Sequence, residues 1–158
     1  MRSMLWLIMY FLRSIGLFTL ARRRNLRKAW LSWVPGLNYS VQGGLSDQYQ
    51  HMVKGRACAK GKALLILWIA VDVLRLVLWL HQFSNMLTAG PLFCMAGILG
   101  CMIAILILSY KALFDVYRSC CPKYAVTLLV VGFLSLGVLE PVFLFAVRNR
   151  DGGLPVPE

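Results

Sequence analysis

The sequence predicts an all-α integral membrane helical bundle, with about four transmembrane helices and one re-entrant or interfacial segment. Three observations carry this. Hydrophobic residues make up 59% of the 158 residues and the mean hydropathy is +0.70, whereas soluble domains sit near 45–50% apolar. The apolar residues gather in runs of roughly eighteen or more, the length that crosses a ~30 Å hydrocarbon layer at 1.5 Å per residue. The 17 Lys and Arg, set against 6 Asp and Glu, fall mainly in short segments between those runs. In a soluble chain a net charge of +11 would point to nucleic acid. Segregated between apolar runs, it is instead the positive-inside pattern, and it suits anionic lipid headgroups. The expected partners are therefore the bilayer and its anionic headgroups, with no nucleic acid. The length fits a single membrane domain, residues 1–158.

The first run, residues 3–20, is interrupted by Arg13 and followed by Arg22, Arg23 and Arg24. No small-x-small cleavage site follows it, so it reads as an uncleaved helix with its N-terminus outside, the rival being an interfacial helix, because only ten residues separate Arg2 from Arg13. Arg22 to Lys28 carries five positive charges, and a second basic block holds Lys54, Arg56, Lys60 and Lys62. Between them, residues 29–46 are apolar and aromatic but broken by Pro35, Gly36, Gly43 and Gly44. With both flanks drawn to the cytoplasm, this piece must cross an even number of times, and it is too short to cross twice. It is expected to re-enter or to lie in the interface, with Trp30 and Trp33 at headgroup level; the alternative is a full span, which would place one basic block outside.

Residues 63–80 form the second spanning run and contain Asp72 and Arg75; His81 to Pro91 is a polar external turn without Lys or Arg. The third run, 92–110, has no charge, and an inner loop with Lys111, Arg118 and Lys123 follows. The fourth run, 125–147, contains Glu140 and Pro141 and is expected to kink there, because Pro141 cannot donate to the carbonyl of Gly137. This places twelve Lys and Arg inside and three outside: Arg2, Arg148 and Arg150. The last two favour the inner side, and a break at Pro141 that folds the run back would put them there. The residues after Val147, rich in Gly and Pro, are expected to form a loosely ordered tail. No internal repeat is visible, so the inverted-repeat signature of many transporters is absent.

The ionisable residues inside the runs are the most informative feature. Each costs about 2.5–3.5 kcal/mol at mid-membrane and is expected to face the bundle and find a partner. There are four: Arg13, Asp72, Arg75 and Glu140. From the inner face their depths are roughly 12, 14, 18 and 22 Å, if every helix is straight. The near-level pairs are then Arg13 with Asp72 and Arg75 with Glu140; Asp72 and Arg75, three apart on one helix, are the alternative pair. Trp68, Asp72, Arg75 and Trp79 lie four, three and four apart, so the charged face of that helix is also its aromatic face. Two readings follow: the pairs lock the bundle, or they form a path or site for an ion or polar ligand. Ala96, Gly100 and Ala104 form a small-residue stripe that permits close helix approach.

On the inner face, Asp47 and His51 are four apart and share a helix face, and Asp115 or Cys120 are the candidates for a third ligand. Solvated side chains, with Asp115 paired to Arg118, explain the same residues, and no metal or cofactor is expected. The five cysteines, Cys58, Cys94, Cys101, Cys120 and Cys121, match no zinc or disulfide framework. There is no phosphate-binding glycine loop, no Gly-x-Ser-x-Gly and no His-Glu-x-x-His.

Three stretches resemble a family of small polytopic membrane proteins from Gram-positive, clostridia-like bacteria. They are Ala21 to Arg24 with Lys28 to Asn38, Leu45 to Gly55, and Lys111 to Lys123 with Glu140 to Phe145 and Arg148 to Asp151. Family members carry an acidic residue where Cys121 stands and a Gly-Met-Pro-like tail where this chain has Gly153 to Pro155. The resemblance implies a divergent member, residence in the bacterial inner (plasma) membrane as a multi-pass protein, and no particular activity. The leading expectation is a non-enzymatic accessory or scaffold component, with a protein partner or a homo-oligomer. The alternatives are a small oligomeric transporter or channel using Arg13, Asp72, Arg75 and Glu140, and a membrane enzyme acting on lipid headgroups through Asp47, His51 and Asp115.

Overall fold

The computed structural model describes residues 2–55, 57–82, 90–135 and 137–150; the C-terminal tail and most of the expected external turn lie outside the described residues. Among the described residues the chain is all-helical, without a strand. The helices are α1 (Arg2–Arg23), α2 (Asn38–Lys54), α3 (Lys60–Gln82), α4 (Gly90–Cys120), α5 (Ala125–Leu134) and α6 (Glu140–Val147), with 3-10 turns at Ala29–Trp33 and Pro122–Tyr124. Three are long and apolar enough to cross a membrane: Met4–Arg23, Lys60–Leu80 and Pro91–Cys120. Large apolar side chains remain exposed along them, among them Trp6, Ile66, Leu76, Phe93 and Leu99. Helices facing hydrocarbon carry such side chains without cost.

α1 ends in Arg22 and Arg23, cations that suit the negative end of a helix dipole. Asn25 then adopts a left-handed conformation (φ 54°), and the N–H of Leu26 reaches back to the carbonyl of Ala21 at 2.9 Å. This reverses the chain. Ala29–Trp33 runs back along α1, until the Trp33 ring lies against Phe11 and Phe18, 6.3 and 6.1 Å between centroids, and its carbonyl accepts from the Tyr10 hydroxyl. Trp33 thus sits against the middle of α1, and Trp30 is exposed. The chain turns at Pro35 and Gly36, and α2 returns to the basic end, where the Gln48 amide donates to the carbonyl of Arg24 at 3.1 Å. The whole excursion from residue 29 leaves from and returns to one end of the bundle.

α2 packs on both α3 and α4. Gly43 makes its contact with α3 possible, because a Cβ there would lie 2.6 Å from the Cα of Gly61. Its other face is polar and buried: Asn38, Gln42, Ser46 and Gln50, four apart, all 8% exposed or less. That spacing is the helical repeat of one face, and the facing groups on α4 answer it with hydrogen bonds. α3 and α4 pack on each other along Leu64, Val71 and Ile105. Within the small-residue region of α4, Gly97 is the glycine that approaches α3, at Leu74; Gly100 faces open space.

α4 continues ten residues beyond the expected end of the third run. Ala112, Leu113, Val116, Tyr117 and Cys120 supply the reason: they recur at helical spacing and are all buried. They form the main core with Leu17 and Leu20 of α1, Leu45 of α2 and Leu144 of α6. The expected inner loop is therefore mostly helix.

The fourth run departs most from a single helix. It is split into α5, of 10 residues, and α6, of 8, roughly 15 and 12 Å long. The break precedes Pro141 instead of following it. Pro141 occupies the first turn of α6, where its missing N–H would have had no helical partner. The turn is made at Gly137 (φ 79°), a conformation that only glycine adopts without strain. The two short helices form a hairpin. Ala125 at the start of α5 and Val147 at the end of α6 share the main core, Arg23 donates to the carbonyl of Arg148 at 3.3 Å, and the Arg150 guanidinium lies 3.9 Å from the Cys121 sulfur. Arg148 and Arg150 therefore join Arg22 to Arg24 at the basic end.

Candidate functional site

The tips of the two chain reversals meet. Pro35 and Gly36 from the first, and Gly137 and Val138 from the second, line one cavity of about 540 Å³. Its remaining walls come from α1 (Leu5, Trp6, Met9), Trp68 of α3, and Met102, Leu106 and Tyr110 of α4. α2 and α6 both begin at it, with Asn38, Tyr39 and Glu140 in its lining. Two helix N-termini, the positive ends of their dipoles, thus border one space at mid-bundle.

The floor of the cavity is ionic. The Arg13 guanidinium donates to Glu140 Oε1 at 2.9 Å, and both side chains are nearly buried. Its Nη2 donates to Gln42 Oε1 at 2.8 Å, and its Cζ lies over the Tyr39 ring, 4.3 Å from the centroid. Gln42 in turn donates through Nε2 to the carbonyl of Ser109 at 2.8 Å. Both ends of the amide are engaged, which fixes its orientation and ties α1 to α2 and α4. Tyr39 stacks on Trp68 with centroids 5.6 Å apart. The α1–α6 contact that sets the ion pair depends on Gly16, whose absent Cβ would lie 3.0 Å from the backbone of Leu144 and Phe145. Three buried polar atoms without a hydrogen-bond partner belong to residues of this lining: Arg13 Nε, Asn38 Oδ1 and Trp68 Nε1. Polar capacity therefore remains around the space.

These contacts revise the expected pairing. Arg13 pairs with Glu140, not with Asp72, and Arg75 is not the partner of Glu140. The cause is the hairpin. Glu140 lies eight residues from Arg148, roughly 12 Å from the basic end, and Arg13 lies ten from Arg23, roughly 15 Å. They are level once the fourth run is folded back. Asp72 and Arg75 are both exposed, and among the described residues neither has an ion pair. The expected aromatic and charged face of α3 thus divides: Trp68 enters the cavity wall, whereas Asp72, Arg75 and Trp79 lie on the outside.

The inner-face candidates do not converge. Asp115 is buried and accepts from Lys60 Nζ at 2.6 Å, Ser46 Oγ at 2.6 Å and Gln50 Nε2 at 2.9 Å. Its partner is Lys60, not Arg118. Asp47 accepts the backbone N–H groups of Lys60 and Gly61, both at 2.9 Å, so it caps α3 from α2. His51 is exposed. Among the described residues no group of three His, Cys, Asp or Glu is placed to hold a metal. Sequence reasoning missed Gln42, Ser46 and Gln50, although their four-residue spacing with Asn38 was there to be read as a face.

Compared with family models, curated proteins and solved structures, the chain matches none.

Proposed function

We propose that this is a small multi-pass plasma-membrane protein of bacteria that receives a polar solute in its mid-bundle cavity, as a transporter or channel does. The observation that carries the reading is the Arg13–Glu140 pair on the floor of a cavity bordered by two chain reversals. Non-helical backbone at membrane depth is tolerated where it is buried in protein or lines a cavity, and half-helices that begin at mid-membrane are where transporters hold their substrates. The volume lies within the ordinary range for a small-ligand site, about 300–1,000 Å³. A guanidinium beside a carboxylate matches a ligand carrying both signs, so a zwitterion with a small polar head is the class we assign. The basic end faces the cytoplasm in this reading and meets anionic headgroups.

Uptake of labelled zwitterions, amino acids and phosphoethanolamine among them, into proteoliposomes tests this. Wild-type protein should accumulate at least one of them above protein-free vesicles. The double variant R13M/E140M removes both charges together and should keep the fold while losing uptake. Uptake that survives in the folded double variant, or that never exceeds protein-free vesicles, would overturn the reading. A second reading, the non-enzymatic accessory or scaffold component, is favoured by a different observation: the exposed Asp72 and Arg75 on α3. The lipid-headgroup enzyme has less support, since Asp47 and Asp115 are both engaged in packing contacts.

A further inference from the structure

α3 packs on α2 and α4 and leaves its remaining surface open. On that surface stand Asp72 and Arg75, both exposed. They lie twelve and fifteen residues from Lys60, roughly 18 and 22 Å along a helix about 34 Å long. These are the middle turns of a membrane-spanning helix, where a charge facing hydrocarbon is costly and calls for a partner. Arg13 and Glu140, which could have supplied partners, are engaged with each other. Among the described residues no other ion pair reaches Asp72 or Arg75.

We infer that this face of α3 is a self-association surface, and that its occupant is α3 of a second copy of the chain. The argument is charge complementarity. An acid and a base three residues apart form a neutral, self-complementary pattern. Copies inserted in the same direction are related by a two-fold axis along the membrane normal, which sets the two α3 helices side by side and parallel. Asp72 then stands about 4.5 Å below the level of Arg75 of the second copy. A long arginine side chain spans that offset at a helix separation of about 8–10 Å. Two reciprocal pairs form at once, and each charge is covered. A lipid headgroup would have to descend to mid-membrane to do the same. This inference is independent of the solute reading, since it concerns a different face.

The test uses two single variants. D72R makes the face wholly positive and R75D makes it wholly negative. Differently tagged full-length chains are reconstituted in liposomes and their association is read by energy transfer and by single-molecule subunit counting. Wild type should pair with itself. Each variant alone should lose self-association by at least tenfold, and D72R mixed with R75D should regain it. If either variant fails to fold, a second readout stands in. In a background without the five native cysteines, W79C should cross-link copies through α3 and L99C, on α4, should not. A monomeric wild type would overturn the inference, as would self-association unchanged in both variants, no recovery in the mixture, or wild-type chains that carry a different protein on α3 instead of one another.

Discussion

The Arg13–Glu140 pair shows what a single residue can cost. A buried pair is dear to break from one side, because the remaining charge stays buried without its counter-ion. E140Q should therefore destabilise the fold by about 3–5 kcal/mol, whereas R13M/E140M should lose less, about 1–3 kcal/mol, since no charge is left buried unpaired and the Gln42 amide oxygen loses its donor. Thermal unfolding in detergent checks the ordering, and equal losses in the two variants would contradict it. Gln42 makes the companion case. Its amide serves Arg13 and the Ser109 carbonyl together, so Q42L leaves a buried Arg13 N–H without its acceptor, at about 1–3 kcal/mol, while the Ser109 carbonyl keeps its helical bond within α4. Neither role was legible in advance. The sequence marked Arg13 and Glu140 as charges needing partners, but their pairing depends on depth, and the depth of Glu140 depends on a chain reversal that hydropathy does not encode.

At the scale of elements, the long apolar helices were legible and the broken ones were not. α1, α3 and the first part of α4 follow from run length alone. The fourth run has the length and hydropathy of a span, yet Gly137 and Pro141 together divide it. Proline alone predicts a kink; a glycine at φ 79° four residues earlier turns the kink into a hairpin. G137A should cost about 1–3 kcal/mol through backbone strain and loosen α6 from α1, a loss that hydrogen exchange over residues 140–147 would register. α2 shows the opposite failure. Its glycines read as breaks in an apolar segment and its polar face went unread, whereas Gly43 is the contact with α3 and the polar residues are the contact with α4. G43V should drive the α2 and α3 backbones apart, at about 1–3 kcal/mol for overpacking, and an unchanged melting temperature would refute that close approach.

At the scale of the whole molecule, the two reversals give the bundle its polarity. α1 arrives at the basic end, the excursion from residue 29 leaves and regains it, and the α5–α6 hairpin does the same. With α3 leaving and α4 returning, the basic residues gather at one end: Arg22 to Lys28, Lys54 with Lys60 and Lys62, Lys111 to Lys123, and Arg148 with Arg150. Among the described Lys and Arg outside the apolar runs, only Arg2 belongs to the other end. An asymmetry this complete should fix the orientation of insertion. In intact cells a maleimide that cannot cross the membrane should therefore miss Cys58 and Cys121 from outside and label them after permeabilisation. The more demanding comparison is a cysteine placed at Arg150 in a chain without the native thiols. A hairpin requires R150C to behave like Cys58, protected until the membrane is opened. Labelling of R150C in intact cells would mean that the last run crosses instead, and would separate Glu140 from Arg13 by carrying it toward the far side of the bundle.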